Sequence, residues 1–504
     1  GPSGQYGGKL ANGGERITLL DAGGATLHDF TYGVGGEWPD RAAGRGSTFE
    51  VIDTLGDYSD PRNWRNSNAF GGSPFGEDPS SGGPIVVNEI VARLAGGGED
   101  QLELANTTDD PIDVGQWYVS DSSDDYFKFQ FPPKTTVPAS GYETFTETEL
   151  GFGFDRFDGG TVWLIEASES GRPVRFVDRV EYRGSDEGIA LGRWPNSEPT
   201  ATLFPMTRPT FGAANSGPAT GEVIFSEVYY HPPDSGRFAE DLEFVELFGP
   251  SELSVDLAGW KLVGEIELEF TEGTTVAPGA SLVVVGFNPV DTVRANALRD
   301  ILGMDESAQL VGPYSGSLSD DGGVVELIKP LQAGDASKGS ALVDRIVYQK
   351  GAPWPSGADG GGAALHRIAV DAFGSFSNSF RPLPPSPGRE RFVLPGDLDL
   401  NGQIDANDIE GLVLALTDRA AYETAFEVSA VLGGDLDLDG DLDFDDIDDL
   451  VMALQDSANV RSLSGEDGAA SSTHRRRRHD VVEAVMADWD AAFRPVRIEP
   501  NVDA

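Results

Sequence analysis

Residues 101–120, QLELANTTDDPIDVGQWYVS, align without a gap on residues 244–263, FVELFGPSELSVDLAGWKLV, and this internal repeat constrains the fold more than any other feature. The alignment pairs Glu103 with Glu246, Asp113 with Asp256 and Trp117 with Trp260. Downstream, FPPKTTVP (131–138) parallels FTEGTTVA (270–277), and FVDRVEY (176–182) parallels LVDRIVY (342–348). Trp-Pro follows both copies, at Trp194-Pro195 and Trp354-Pro355. The start of the chain fits only the second half of this template. LANGGERITLLD (10–21) aligns on LSDDGGVVELIK (318–329), LHDFTY (27–32) on VDRIVY (343–348), and Trp38-Pro39 supplies the Trp-Pro. The repeat therefore occurs two and a half times, and sequence ahead of Gly1 is expected to complete the first copy.

Each copy reads as a series of short strands. IVVNEIVARL (85–94) and EVIFSEVYY (222–230) are rich in β-branched residues, and turn clusters such as SLSDDGG and APGAS separate the later runs. With 64 glycines and 32 prolines, turns are plentiful, and no helical periodicity intervenes between the strands. The expected fold class is mainly β, as tandem immunoglobulin-like β-sandwiches followed by a small all-α calcium-loop domain. Trp117 and Trp260 are expected as core anchors where the two sheets of each sandwich meet.

These residues carry a family resemblance. The pattern VNEI, LELAN, PIDVGQWYVS and FPPKTTVPASGY, repeated as FSEVYYHPP, FVELFG, VDLAGWKLV and GTTVAPGASLVVV, resembles the lamin tail domain over roughly residues 1–390. The resemblance implies an immunoglobulin-like sandwich, found in tandem in bacterial secreted and surface proteins, with no catalytic residues of its own. It divides the chain into a half-sandwich (1–80), two sandwiches (81–217 and 218–392), a calcium-loop domain (393–457) and a linker with a basic cluster and short helix (458–504). A half-sandwich leaves sheet edges and apolar faces open, so residues 1–80 are expected to need their missing half or a neighbour.

The formal charge of −48 argues against nucleic acid as the main partner, because an acidic surface repels phosphates. Most of those carboxylates read as solvated surface, but two stretches keep a register. In GDLDLNGQIDAND, the residues Asp397, Asp399, Asn401, Gly402, Gln403, Asp405 and Asp408 occupy positions 1, 3, 5, 6, 7, 9 and 12 of an EF-hand-type loop. In GDLDLDGDLDFDD, Asp435, Asp437, Asp439, Gly440, Asp441, Asp443 and Asp446 do the same. Gln403 and Asp441 ligate through their backbone carbonyls, and position 8 is apolar in both (Ile404, Leu442). Two Ca²⁺ ions are expected, since many flexible carboxylates suit the larger cation and neither His nor Cys lies nearby.

After each loop, Ile409, Leu412, Leu416 and Ile447, Leu450, Leu454 recur at helical spacing. Before each, Pro395 and Gly433-Gly434 are expected to prevent an entering helix. AAYETAFEVSAVL (420–432) reads as a third helix, with Tyr422 and Phe426 in its core. A duplicated loop-helix unit of this kind resembles the type I dockerin repeat over 396–455. The resemblance carries the ligand roles onto Asp397, Asp399, Asn401, Asp405, Asp408 and onto Asp435, Asp437, Asp439, Asp443, Asp446. Loop positions 10 and 11 depart from that family: Ala406-Asn407 and Phe444-Asp445 replace the small hydroxyl pair that contacts cohesin. The expected partner is therefore another protein or a cell-surface component, with polysaccharide a further candidate.

No catalytic constellation stands out. The five histidines (28, 231, 366, 474, 479) form no HExxH, no Gly-x-Ser-x-Gly is present, and His231 and His366 read as loop or strand-edge residues. Paired carboxylates are too abundant to single any out. HRRRRH (474–479) reads as a solvated linker, and DVVEAVMADWDAAF after it as a short amphipathic helix. No apolar run is long enough to span a bilayer. The reading is a non-catalytic secreted or cell-surface protein, a sandwich array with a calcium-stabilised docking module. The alternative is the accessory region of an extracellular polysaccharide hydrolase or nuclease, its catalytic domain upstream of Gly1.

Overall fold

The computed structural model describes residues 8–454, apart from 75, 80–81, 197–201, 234–240, 333–338, 389–395, 400–403, 427–429, 437–441, 445 and 448. The chain divides into two compact units, 1–219 with 330–342 and 220–329 with 343–504. Among the described residues, no helix is long and apolar enough to cross a membrane.

In the first unit, β1 (Glu15–Leu20) and β2 (Thr26–Tyr32) form a hairpin, and β3 (Phe49–Val51) pairs with β4 (Trp64–Asn66). The first sandwich follows, as β5 (Ile85–Val91), β6 (Gln101–Asn106), β7 (Ile112–Asp113), β8 (Tyr118–Ser120), β9 (Phe129–Gln130), β10 (Thr136–Val137), β11 (Tyr142–Thr146), β12 (Gly160–Ala167), β13 (Pro173–Tyr182), β14 (Leu191–Gly192) and β15 (Phe204–Pro205). One sheet runs β11-β6-β5-β14-β15, the other β13-β12-β8-β9, and β10 pairs with β7. Side chains of both sheets meet in one core, where Ile85, Leu102 and Leu104 face Val119, Val162 and Leu164, all fully buried. Burying each such side chain contributes about 1.5–3 kcal/mol. Trp117 lies in this core at 7% exposure.

The second unit repeats the plan with β16 (Ile224–Tyr229), β17 (Phe244–Phe248), β18 (Val255–Asp256), β19 (Lys261–Gly264), β20 (Ile266–Glu269), β21 (Thr275–Val276), β22 (Ser281–Val285), β23 (Gln309–Val311), β24 (Ser315–Gly316), β25 (Gly322–Pro330), β26 (Ser340–Gln349), β27 (Ala364–Arg367) and β28 (Phe380–Leu383). Its sheets run β23-β22-β17-β16-β27-β28 and β24-β20-β19-β25-β26. Trp260 sits in their shared core at 6% exposure.

Three expectations need correction. The sandwiches are not free of helix: besides a single turn, α1 (Glu147–Leu150), an eleven-residue helix, α2 (Thr292–Leu302), lies between β22 and β23. Asp291 caps α2 at one end and Gly303, at φ 62°, closes it at the other. It buries only Ala295 and Leu298 while Val293 and Ile301 stay exposed, so its apolar stripe is too thin to show as periodicity. His366 is not at a strand edge, since β27 is paired on both sides, with β16 and β28. Finally, Gly433-Gly434 do not exclude an entering helix, because one short turn runs through them before the second acidic loop.

Both sandwiches carry the same clamp between their sheets. A β-bulge interrupts the pairing of β5 at Val87/Glu89 and of β16 at Phe225/Glu227. At each bulge a backbone N–H turns to an aspartate on the opposite sheet: Val87 N donates to Asp178 Oδ2 (2.7 Å) and Phe225 N to Asp344 Oδ2 (2.8 Å). A buried arginine completes each clamp. Arg193 donates to both Asp178 oxygens (2.8 and 2.6 Å) and to the Val87 carbonyl (2.6 Å). Arg367 donates to Asp344 (2.6 and 3.1 Å) and to the Phe225 carbonyl (3.1 Å).

The N-terminal segment fastens to the first sandwich along β13, an edge strand. Phe70 N donates to Val174 O and Phe176 N to Asn68 O, each at 2.8 Å. The Asp78 carboxylate holds this corner through the N–H groups of Asn68 and Ala69. Arg41 lies 4.2 Å over the Phe176 ring.

Removing either clamp aspartate strands a buried guanidinium. Asp178→Ala and Asp344→Ala are each expected to destabilise their own sandwich by about 3–5 kcal/mol, measured as a lowered denaturant midpoint for that unit.

Candidate metal centre

The C-terminal module is built from α3 (Asp408–Thr417), α4 (Arg419–Phe426), α5 (Ala430–Gly434) and helical residues 446–447 and 449–454 after the second loop. Its core joins Leu398, Leu412, Tyr422, Leu442 and Leu450, with Ile404 packed against them. The apolar position 8 of both loops thus enters one core. Gly396 N donates to Gly433 O (2.8 Å), linking the starts of the two loops, and the Tyr422 hydroxyl donates to Leu398 O (3.0 Å). Gly411 is required by close approach, since a Cβ there would lie 2.6 Å from Leu398 O.

This scaffold gathers the first loop's carboxylates. Asp397, Asp399 and Asp408 each present an oxygen within 4.8 Å of the others, with Asp397 and Asp408 buried. Asp408 starts α3, and its carboxylate turns back into the loop. Oδ1 accepts from Leu398 N (2.7 Å) and Asp399 N (3.1 Å), and Oδ2 from Asp405 N (2.7 Å). Burial raises the Asp408 pKa above the ordinary carboxyl value, against those N–H donors, and the Asp399 charge adds to the rise. The Tyr422 hydroxyl, buried beside Asp397, Asp408 and Asp399, is pushed up to about 12.

The second loop repeats the frame: Asp446 accepts from Leu436 N (2.6 Å) through Oδ1 and from Asp443 N (2.9 Å) through Oδ2. Asp435 and Asp446 are both buried. Of the expected ligands, Asp397, Asp399 and Asp408 come together. Asp405 instead accepts from Asn407 N (2.9 Å). Asn401, Gln403, Asp437, Asp439 and Asp441 lie outside the described residues, as do HRRRRH and the segment after it. The donors present fit a hard cation: all are oxygens, and the position-12 carboxylate is pre-aimed by backbone N–H groups.

Each sandwich also buries a cross-strand carboxylate pair that sequence reading passed over. Glu89 stands opposite Glu103, and Glu227 opposite Glu246, all four at 0% exposure. In both sandwiches the pair holds the backbone of a later segment. Glu89 accepts from Thr210 N (2.9 Å) and Glu103 from Gly212 N; Glu227 accepts from Ser386 N (3.0 Å) and Glu246 from Gly388 N. The signal was available, because VNEI matches FSEV and Glu103 aligns on Glu246. His366, its Nε2 3.3 Å from Glu227, is lowered to about 4 by burial. Burial and the neighbouring Glu246 charge hold Glu227 well above the carboxylate range.

Burial raises Glu103 from 4.5 to about 7, outweighing the Asn88 and Gly212 hydrogen bonds. The unfolded chain therefore releases this proton first. The stability Glu103 contributes is full below about pH 4.5 and is lost as the pH rises through about 7. Between those values the first sandwich is expected to melt at progressively lower temperature. Calorimetry across the range should show a flatter profile for Glu103→Gln.

No curated protein matches the chain. Among solved structures, a DUF4876 family protein from Bacteroides thetaiotaomicron is similar at 12% identity over 62% of this chain and 99% of that one, with a TM-score of 0.24. The model of the lamin tail domain matches residues 78–184 and again residues 216–350. Each matched stretch falls on one β-sandwich, so both sandwiches are similar to the lamin tail domain.

Proposed function

We propose that this is a secreted or cell-surface modular protein without catalytic activity of its own. Its sandwiches form a spacer or binding array, and residues 393–457 form a calcium-ordered, dockerin-like module that docks on a protein or other surface component. The observation that carries this reading is the convergence of Asp397, Asp399 and Asp408 within 4.8 Å, on a backbone frame that the second loop repeats around Asp446.

Charge arithmetic supports a diffusible cation. Residues 396–454 hold seventeen Asp and Glu against a single basic residue, Arg419, whose guanidinium donates to the Leu442 carbonyl (2.9 Å). Like charges about 4 Å apart repel by roughly 1 kcal/mol even in bulk water, and by more where burial lowers the dielectric. Bound calcium would supply the neutralising charge and fix the loop's curvature. Asp397, Asp399 and Asp408 would hold it in the first loop, and Asp435 and Asp446 in the second. Ordering both loops also seats Leu398 and Leu442 in the module's core, so cation binding and helix packing would be one event.

Calorimetry of the full chain with calcium and with chelator tests the proposal. The transition of the C-terminal module is expected to shift upward by 10 °C or more, roughly, in saturating calcium while the sandwich transitions stay fixed. Asp397→Ala and Asp435→Ala should each weaken calcium binding by about tenfold or more in titration calorimetry. A C-terminal transition indifferent to calcium would sink the metal reading.

A further inference from the structure

The second sandwich shows what the inner face of its second-half hairpin requires. Leu318, Val325, Leu327, Ile346 and Tyr348 are at most 2% exposed. They join Phe225, Val245, Leu247, Leu282 and Val284 of the first-half sheet in one core. The repeat alignment places Leu10, Ile17, Leu19, Phe30 and Tyr32 at the same five positions of the N-terminal segment. The hairpin there forms in the same way, with Ile17 opposite Phe30 and Glu15 opposite Tyr32. Its burial differs: Leu10 is 54% and Leu19 52% exposed, and Ile17, Phe30 and Tyr32 are only half-buried. Leu20 and Leu27 are more than half exposed as well.

The open face is shaped as well as apolar. Ile17, Phe30, Tyr32, Val34, Phe49 and Trp64 line a pocket of about 410 Å³. Aromatic contacts shore up its floor, with Phe49 6.0 Å and Phe30 5.5 Å from Trp64. The segment is not loose, because residues 68–70 are bonded to β13. A fixed, concave apolar face of this kind marks an interaction site.

Both complete repeats identify the occupant. In each, the face is covered by a three-stranded antiparallel run from the first half of the same repeat, β11-β6-β5 or β22-β17-β16. We propose that the inner face of the β1–β2 hairpin is the docking surface for a first-half sheet of lamin-tail type. That sheet would present alternating Val, Ile, Leu and Phe to the hairpin, as in the complete repeats. This inference is independent of the calcium reading.

The test compares the full chain with the same chain in which residues 222–317, the first half of the second repeat, replace residues 1–9. Amide exchange over 15–20 and 26–32 is expected to slow by about a hundredfold in the fused chain. Fluorescence of a dye that reports apolar surface should fall, the protein should stay monomeric, and Leu19→Asp in the fused chain should reverse both changes. Should the borrowed sheet fail to fold, the unfused chain still decides. There Leu19→Asp should move its melting by no more than about 2 °C, while Leu327→Asp abolishes the second sandwich's transition. Unchanged exchange in a folded fusion overturns the proposal. So does an unfused dimer with slow exchange over β1 and β2, which would make a second copy the occupant. Equal losses from the two substitutions overturn it as well.

Discussion

Asp178 and Asp344 each reach across their sandwich to a backbone N–H that a bulge has freed on the opposite sheet, and each is held there by a buried arginine. A sandwich core alone is non-directional, because apolar side chains tolerate sliding of one sheet over the other. The clamp fixes one alignment. Its acceptor, donor and counter-ion come from three separate stretches, so it forms only when β5, β13 and β14, or β16, β26 and β27, are in register. Breaking one partner is costly because the other stays buried and charged. The bulge is therefore a working part of both sandwiches.

The buried glutamate pairs depend on that alignment. Once the bulges set β5 and β16, Glu89 and Glu227 point away from the core beside Glu103 and Glu246 and receive N–H donors from residues 210–212 and 386–388. Those segments lack strand structure, so the carboxylates do for them what a ladder would do. Two like carboxyls in one dry place cannot both ionise without cost, and the raised Glu103 and Glu227 express it.

The repeat made most of this fold legible. Gapless matching of Trp117 on Trp260 and of FVDRVEY on LVDRIVY implied two domains of one kind, and the strands follow the same order in both. Helix α2 escaped because it buries two side chains and lies between strands rather than in a periodic run. The glutamate pairs escaped because counting carboxylates in a chain of charge −48 hides the few that are buried. Only comparison of the copies separates them from surface acids. In the acidic loops, spacing placed Asp397, Asp399 and Asp408 on one point. It could not reveal that Asp408 would be gripped by three backbone N–H groups, because that grip depends on α3 beginning at Asp408 itself.

The chain thus deals with buried carboxylates in three ways, set by what surrounds each. At the clamps an arginine arrives from a neighbouring strand, and the charge is kept. At the glutamate pairs the carboxyls are held by backbone N–H groups of later segments, and burial favours the neutral form of Glu103 and Glu227. In the loops both devices act only in part, since burial raises Asp408 and Arg381 lends its charge to Asp435. Residues 396–454 hold one arginine against seventeen acidic residues, and the carboxylates of Asp397, Asp399 and Asp408 converge instead of spreading into solvent. Convergence without a cation would be self-repelling, so the frame that enforces it around Asp408 is one whose geometry a bound cation would balance, and the N–H grip on Asp446 repeats that frame in the second loop.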